Sequence, residues 1–398
     1  MLTLLLRQQS HIAALLLSAV ITTISAAGNA DSFSQSLGVS SGVVYNTDPL
    51  FTPANQPVWL AVLSPTYTVA NTSGLNEWSL NAGLNIQRSS DTLVMVNRND
   101  PTATLGWVHT LQSGSVSIKA HYEQDSTLFG VGQVGNSLVA QDGTSYVQSI
   151  TANWLYNLND TWQLDSGATA NHTTYSSVNT TPPGGSNSTG SLFGYQSNTY
   201  NTKLTKQFSN TLSAYGQISY TQFSLDNQPI SDTQFNTILG IQSTLSETLT
   251  LLADAGVTDT SGNAFSTPGN AGASSSTTGA IGNITLNYLG LRSNGSLTVS
   301  RTDMPSGFGG FVLTDELNGE YSHDLSSNNS IGTGYTYAKN LSLYIDTISQ
   351  FSVWFSHQIS SALSLKLMLQ QRTFSAPGFS GASDNVASLF LTYNNPDF

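Results

Sequence analysis

The chain has 398 residues, of which 38% are apolar and only 9% charged, with 23 acidic residues against 11 basic ones and no cysteine. Such a low charge content does not dress an ordinary soluble surface, where about a quarter of residues are charged. The acidic balance argues against a nucleic-acid partner, which needs a basic face, and the lack of cysteine removes disulfide frameworks and thiolate metal sites.

Residues 1–30 read as a cleavable export signal. Arg7 and His11 give a basic start, Ile12 to Ile24 an apolar run, and Ser25-Ala26-Ala27-Gly28-Asn29-Ala30 a small-residue cleavage region after Ala27 or Ala30. The run is shorter than the roughly 20 residues a membrane-spanning helix needs. Removing it leaves ten basic residues against 23 acidic ones, a formal charge of −13. No later stretch approaches about 18 uncharged apolar residues, so helices do not span a membrane here. Residues 31–398 are read as one domain.

From there the pattern has period two. Ser40 to Tyr45 is a first candidate strand. Next, Trp78, Leu80, Ala82, Leu84 and Ile86 alternate with Glu77, Ser79, Asn81, Gly83, Asn85 and Gln87, which a helix does not produce. Val116, Ile118, Ala120 and Tyr122 repeat it, as do Ile150, Ala152, Trp154 and Tyr156, then Trp162, Leu164, Ala168 and Ala170. Leu212, Ala214, Ile218 and Tyr220 follow, then Leu249, Leu251, Ala253, Ala255 and Val257, and finally Leu363, Leu365, Leu367 and Leu369.

The connections carry independent information. Short turns fall at Gln112-Ser113-Gly114, Asn157–Asp160, Ser209-Asn210, Ser246-Glu247, Ser293-Asn294-Gly295, Ser326–Asn329 and Ser360-Ser361. Between them lie long polar links at Asp125–Ser145, Thr173–Ser191, Ser224–Thr233, Thr258–Thr277, Asp303–Gly310, Lys339–Leu343 and Thr373–Asp384. Loop lengths sorted by end are expected of an outer-membrane barrel, with short periplasmic turns and long extracellular loops. The fold expected is therefore all-β: a transmembrane, antiparallel, up-and-down β-barrel. An even strand count gives 18, or 16 if two weak segments belong to loops. Such a barrel is wide enough to leave an aqueous lumen.

Trp59, Trp78, Trp107, Trp154, Tyr156, Trp162, Tyr220, Tyr335, Tyr337, Trp354 and Tyr393 cluster near strand ends, as membrane-boundary aromatics do. Phe398 gives an aromatic terminus, but Pro396 cannot donate to a ladder, so the last strand is expected to stop near Tyr393.

Three motifs carry a family likeness: Val44-Tyr45-Asn46-Thr47-Asp48-Pro49, Asn97-Arg98-Asn99-Asp100-Pro101, and Ser300-Arg301-Thr302-Asp303 followed by Pro305-Ser306-Gly307. On these the chain resembles the type-2 family of outer-membrane β-barrel porins, and the barrel proteins that accompany exopolysaccharide and exosortase gene clusters. The resemblance implies an outer-membrane location and a channel or export role, and supplies no substrate.

No catalytic site is expected. His109, His121, His172, His323 and His357 are scattered, and neither HExxH nor GxSxG occurs. A barrel enzyme built on His121 or His172 is the least favoured reading. Gly307-Phe308-Gly309-Gly310 lacks the lysine and helix of a phosphate loop and reads as a bend. Neither metal nor cofactor is expected.

The expected pore-lining charges are Glu77, Lys119, Glu123, Asp165, Lys203, Asp254, Glu316, Glu320 and Lys366, all on polar parities. Their acidic excess favours cations. The function expected is passive diffusion or export of solutes, polysaccharide among them. A closed barrel whose loops contact glycans or cells is the alternative. The partners expected are outer-membrane lipid and lipopolysaccharide, the barrel-assembly machinery and the solute itself.

Overall fold

The computed structural model describes residues 32–51, 56–127, 143–176, 192–228, 230–262, 275–307, 309–341, 346–376 and 379–395. The expected export signal and the last three residues lie outside them. Eighteen strands follow one another: β1 Ser32–Asn46, β2 Val58–Ser73, β3 Asn76–Ser89, β4 Arg98–Leu111, β5 Gly114–Ser126 and β6 Thr144–Asn159. Then come β7 Trp162–Tyr175, β8 Tyr195–Ser209, β9 Leu212–Leu225, β10 Ser231–Ser246, β11 Leu249–Gly262 and β12 Ser275–Leu289. The last six are β13 Ser293–Ser306, β14 Gly310–Asp324, β15 Asn329–Asn340, β16 Thr347–Gln358, β17 Leu363–Ala376 and β18 Phe379–Asn395.

Each strand pairs antiparallel with its sequence neighbours, and β1 also pairs with β18, from Leu37↔Asn395 to Asn46↔Val386. The sheet thus closes on itself, each strand being paired on both sides over at least part of its length, which satisfies backbone groups where water is absent. Among the described residues there is no helix.

Which face points inward follows from contacts between strands that are not neighbours. Gln234 on β10 and Phe223 on β9 both touch the β13–β14 hairpin, which only an inward-facing side chain can do. Carrying that parity around the register places Trp78, Ala82, Ile150, Leu239, Leu251, Val257, Ile284 and Leu369 outside. Leu239 there is 70% exposed and Ile284 54% exposed. Large apolar side chains exposed around a whole circumference far exceed the few hundred Å² that a soluble monomer leaves open, and suit contact with lipid.

Several expectations need correction. The links placed at Asp303–Gly310 and Thr373–Asp384 are mostly strand, because β13 runs to Ser306 and β17 to Ala376. Likewise β11 extends to Gly262 and β12 begins at Ser275. Water bathes both faces of these outer ends, so apolar alternation fades while the ladder continues. β1 starts at Ser32 rather than Ser40, for the same reason at the opposite rim. β18 ends at Asn395 rather than Tyr393, because Asn394 and Asn395 pair with Gly38 and Leu37. Trp354 faces inward, opposite Gly332 and Met368, while Phe351, Val353 and Phe355 take the outer face.

Candidate functional site

Carried around the register, the nine charges named above fall on the same face as Gln234 and Phe223, and only some of them are grouped. Asp165 and Lys203 are register partners across β7 and β8. Lys203 Nζ sits 5.5 Å from the centre of the Tyr215 ring, and Tyr215 donates its hydroxyl to Asp254 Oδ2 at 2.8 Å. One band across β7 to β11 thus holds Asp165, Lys203, Tyr215 and Asp254. Tyr215 and Asp254 lie on strands separated by β10. The ring passes over Gly240, where an added Cβ would meet Tyr215 Cζ at 2.4 Å.

The same device recurs at the opposite wall. Trp354 lies over Gly332, with an added Cβ 2.3 Å from the indole, and Lys366 Nζ stands 5.0 Å above the ring. A ring flattened on a glycine costs the lumen little width, and a lysine over its face keeps its charge near the wall. Glu123 belongs to a third group: His121 Nε2 lies 3.3 Å from Glu123 Oε2 and His121 Nδ1 2.9 Å from Thr104 Oγ1. Lys119 shares that strand, whereas Glu316 and Glu320 stand on β14 opposite serines of β13. Glu77 stands apart at the turn end of β3. Among the described residues, no group of three or more His, Asp or Glu could hold a metal ion.

The other end of the barrel is built differently, and sequence reasoning missed its residues. Among the described residues, three segments fold into the mouth. After β1, the Asp48 N–H donates to Asp384 Oδ1 at 2.8 Å, and Asp384 is ion-paired with Arg372. Phe51 adopts φ 52° with its ring under the Arg372 guanidinium and 6.2 Å from Phe374. Between β3 and β4, Val94 and Met95 bury against Val58 and Leu60 on the inner face of β2. Beside them, Arg98 pairs with Asp100 at 2.7 Å, both side chains 2% exposed, and donates to the Gly143 oxygen at 2.9 Å.

The third segment is the tip of the β13–β14 hairpin. β13 pairs with β12 only from Asn294 to Arg301, and β14 pairs with β15 only from Thr314 onward. Beyond those points the hairpin leaves the wall and crosses the mouth. Gln234 Nε2 donates to the Asp303 main-chain oxygen and Thr260 Oγ1 to Asp303 Oδ2, each at 3.0 Å. The Phe193 N–H donates to the Gly307 oxygen at 2.8 Å. Phe311 packs 5.7 Å from Phe223 in a cluster with Tyr195 and Leu225.

All three motifs that carried the family likeness lie at this mouth. Asp48, Arg98 with Asp100, and Asp303 with Gly307 each hold one of the infolded segments or its neighbour. Their recurring pairing of Asp with a nearby Pro is the signal that could have located them.

The fold and its two faces define a closed, 18-stranded transmembrane β-barrel with a polar lumen. No family profile matches the sequence, and no curated protein matches it. Among solved structures the chain is similar to OccAB4 of Acinetobacter baumannii, at TM-score 0.51 and 9% identity over 92% of this chain and 98% of that one. It is also similar to OccAB1 of the same organism, at TM-score 0.50 and 11% identity over 92% and 97%. At such identity the likeness is one of fold.

Proposed function

We propose that the protein is a porin-like channel of the bacterial outer membrane that passes small neutral or cationic solutes. The observation that carries this reading is the pairing of an apolar outer circumference with a polar inner wall in a closed barrel of 18 strands. A barrel of that size holds more lumen than its own side chains fill. The turn-side end is consistent with it, since a cavity of about 760 Å³ there is lined mostly by polar residues such as Gln112, Asn157, Gln163, Gln207 and Gln242, together with Asp160. The fold shared with OccAB4 and OccAB1 is in keeping with it.

The preference for cations rests on the inner-wall acids. Arg98 and Arg372 do not offset them, because each is already paired with an aspartate. We count polysaccharide among the neutral solutes only because some of the barrels that the chain resembles accompany exopolysaccharide gene clusters; the resemblance itself supplies no substrate. Export by a cleaved leader, folding by the barrel-assembly machinery and contact with lipopolysaccharide complete the reading. The decisive experiment is reconstitution of the purified protein in a planar bilayer. Ion conduction is expected. A silent bilayer with correctly folded protein would favour a closed surface-binding barrel instead, whose mouth the three infolded segments seal.

A further inference from the structure

The wall of the barrel carries a seam. Between β12 and β13 the ladder stops at Gly282↔Arg301, and the remaining outer part of β12, residues 275–281, has no partner on that side among the described residues. Seven residues of exposed ladder edge are unusual in a closed barrel, whose closure ordinarily removes edges. The strand that would continue the wall is present but turned inward, held by Gln234, Thr260, Phe193 and Phe223.

We propose that the β13–β14 hairpin tip, described at residues 302–307 and 309–313, is a gate with two seats. In the seat described, it crosses the mouth and narrows it. In the other, it swings outward and zips onto the free edge of β12, completing the wall and clearing the mouth. The proposal rests on the channel reading for its consequence, though not for the movement itself.

Both seats are built from this chain's own groups. Continuing the register beyond Gly282↔Arg301 sets Ile281, Ala280, Gly279, Thr278 and Thr277 opposite Thr302, Asp303, Met304, Pro305 and Ser306. These edge residues of β12 are small or β-branched, so nothing bulky blocks the return. Pro305 lacks a donor, which weakens that ladder by one bond. Against this, the inward seat offers three hydrogen bonds to the hairpin and burial of Phe311 against Phe223. Neither seat is overwhelming, and that balance is what a bistable element needs. The pivots are marked. On the outer face, Arg301 holds Asp315 with two bonds, Nε to Oδ1 at 2.5 Å and Nη2 to Oδ2 at 2.7 Å, at the last residue still joined to β12. On the other arm, the Leu341 N–H donates to the Leu313 oxygen at 2.9 Å.

The chain has no cysteine, so introduced thiols are unambiguous. Two pairs share one position: Asp303→Cys with Thr260→Cys reports the inward seat, bridged by a short bifunctional thiol reagent, and Asp303→Cys with Ala280→Cys reports the wall seat by direct oxidation. Both cross-links are expected to form in folded protein in outer-membrane fractions. Phe223→Ala should raise the yield of the wall cross-link by weakening the inward seat. In planar bilayers, oxidising the wall pair should raise conductance by about twofold or more over the reduced state, because the narrowest section limits conduction. Bridging the inward pair should hold it low. Efficient inward bridging with no wall cross-link, even in the Phe223→Ala background, would overturn the gate and leave a fixed constriction. A wall cross-link that forms but leaves conductance unchanged would also overturn it. Cross-links at both seats with silence in every bilayer would support the movement and instead overturn the channel reading on which its role depends.

Discussion

Tyr215 on β9 donates its hydroxyl to Asp254 on β11 at 2.8 Å, reaching across the whole width of β10 to do so. The reach is possible because the strand between carries Gly240, and an added Cβ would press on the ring. Gly240→Val is therefore expected to lift Tyr215 from the wall, break its bond to Asp254 and destabilise the barrel by about 1–3 kcal/mol, the usual cost of overpacking. Thermal unfolding in detergent measures it. Gly240→Ala should be nearly neutral once Tyr215→Ser has removed the ring. Equal cost in both backgrounds would show that the glycine serves some other purpose.

The inward and outward parities make a contrast of their own. Ala82→Arg or Leu251→Arg should impair assembly, since a charge on the lipid face costs about 2–4 kcal/mol at the bilayer midplane. Ser79→Arg, on the inner face of the same strand as Ala82, should fold. Yields of folded barrel on unheated gels would separate the two sets, and similar losses from both would place the faces wrongly.

Arg372 and Asp384 form a buried pair, 7% and 0% exposed, that also holds the Asp48 backbone. Removing one partner strands the other, and Arg372→Ala is expected to cost about 3–5 kcal/mol. Asp384→Asn should cost somewhat less, because its single amide oxygen still accepts from either the Asp48 N–H or the guanidinium, although not from both. If the pair fixes the infolded segment after β1, proteolysis near Asp48 should quicken in Arg372→Ala before global unfolding begins. Unchanged cleavage would mean that other contacts hold the segment, such as the Thr47 N–H to the Asn385 oxygen at 3.1 Å and the Asn385 N–H to Thr47 Oγ1 at 2.8 Å.

The proposed selectivity rests on the wall acids. In a salt gradient the reversal potential should shift toward the cation, and neutralising Glu77, Glu123 and Asp254 together should shrink that shift. High salt should do the same, as the screening length falls from about 10 Å at 0.1 M to about 3 Å at 1 M. A preference for anions would assign the controlling charges to Lys119, Lys203 and Lys366 instead.

The barrel was legible in the sequence because lipid on one side and water on the other impose strict alternation, as in Trp78 to Ile86. The even strand count followed from expecting the first and last strands to end on the same, periplasmic side. What escaped was built where that constraint lapses. Above the bilayer, Thr258, Thr260 and Asp303 have water or protein on both sides, so strand and loop read alike. Trp354 was assigned to the boundary because aromatic residues suit it, and only the register against Gly332 shows the ring inside. The nine wall charges could be placed by parity, but their grouping depends on which strands stand side by side. Asp165 and Lys203 are 38 positions apart in sequence and directly opposed in space. The infolded mouth depends on contacts of still longer range, such as that of Asp48 with Asp384.

The pairing of β1 with β18 has a consequence for how the chain reaches this state. Ser40 and Thr392 touch across 352 positions of sequence, so the final ladder forms only after every intervening strand has arrived. Bringing such distant ends together costs an entropy equivalent to about 5 kcal/mol before any bond repays it. Until then both terminal strands present unpaired amides that hydrocarbon cannot solvate. A half-built wall therefore has no comfortable resting place in the bilayer, and insertion is expected to be a single cooperative event gated by this one closure. The meeting of β1 and β18 is therefore expected to limit the rate at which the folded barrel appears.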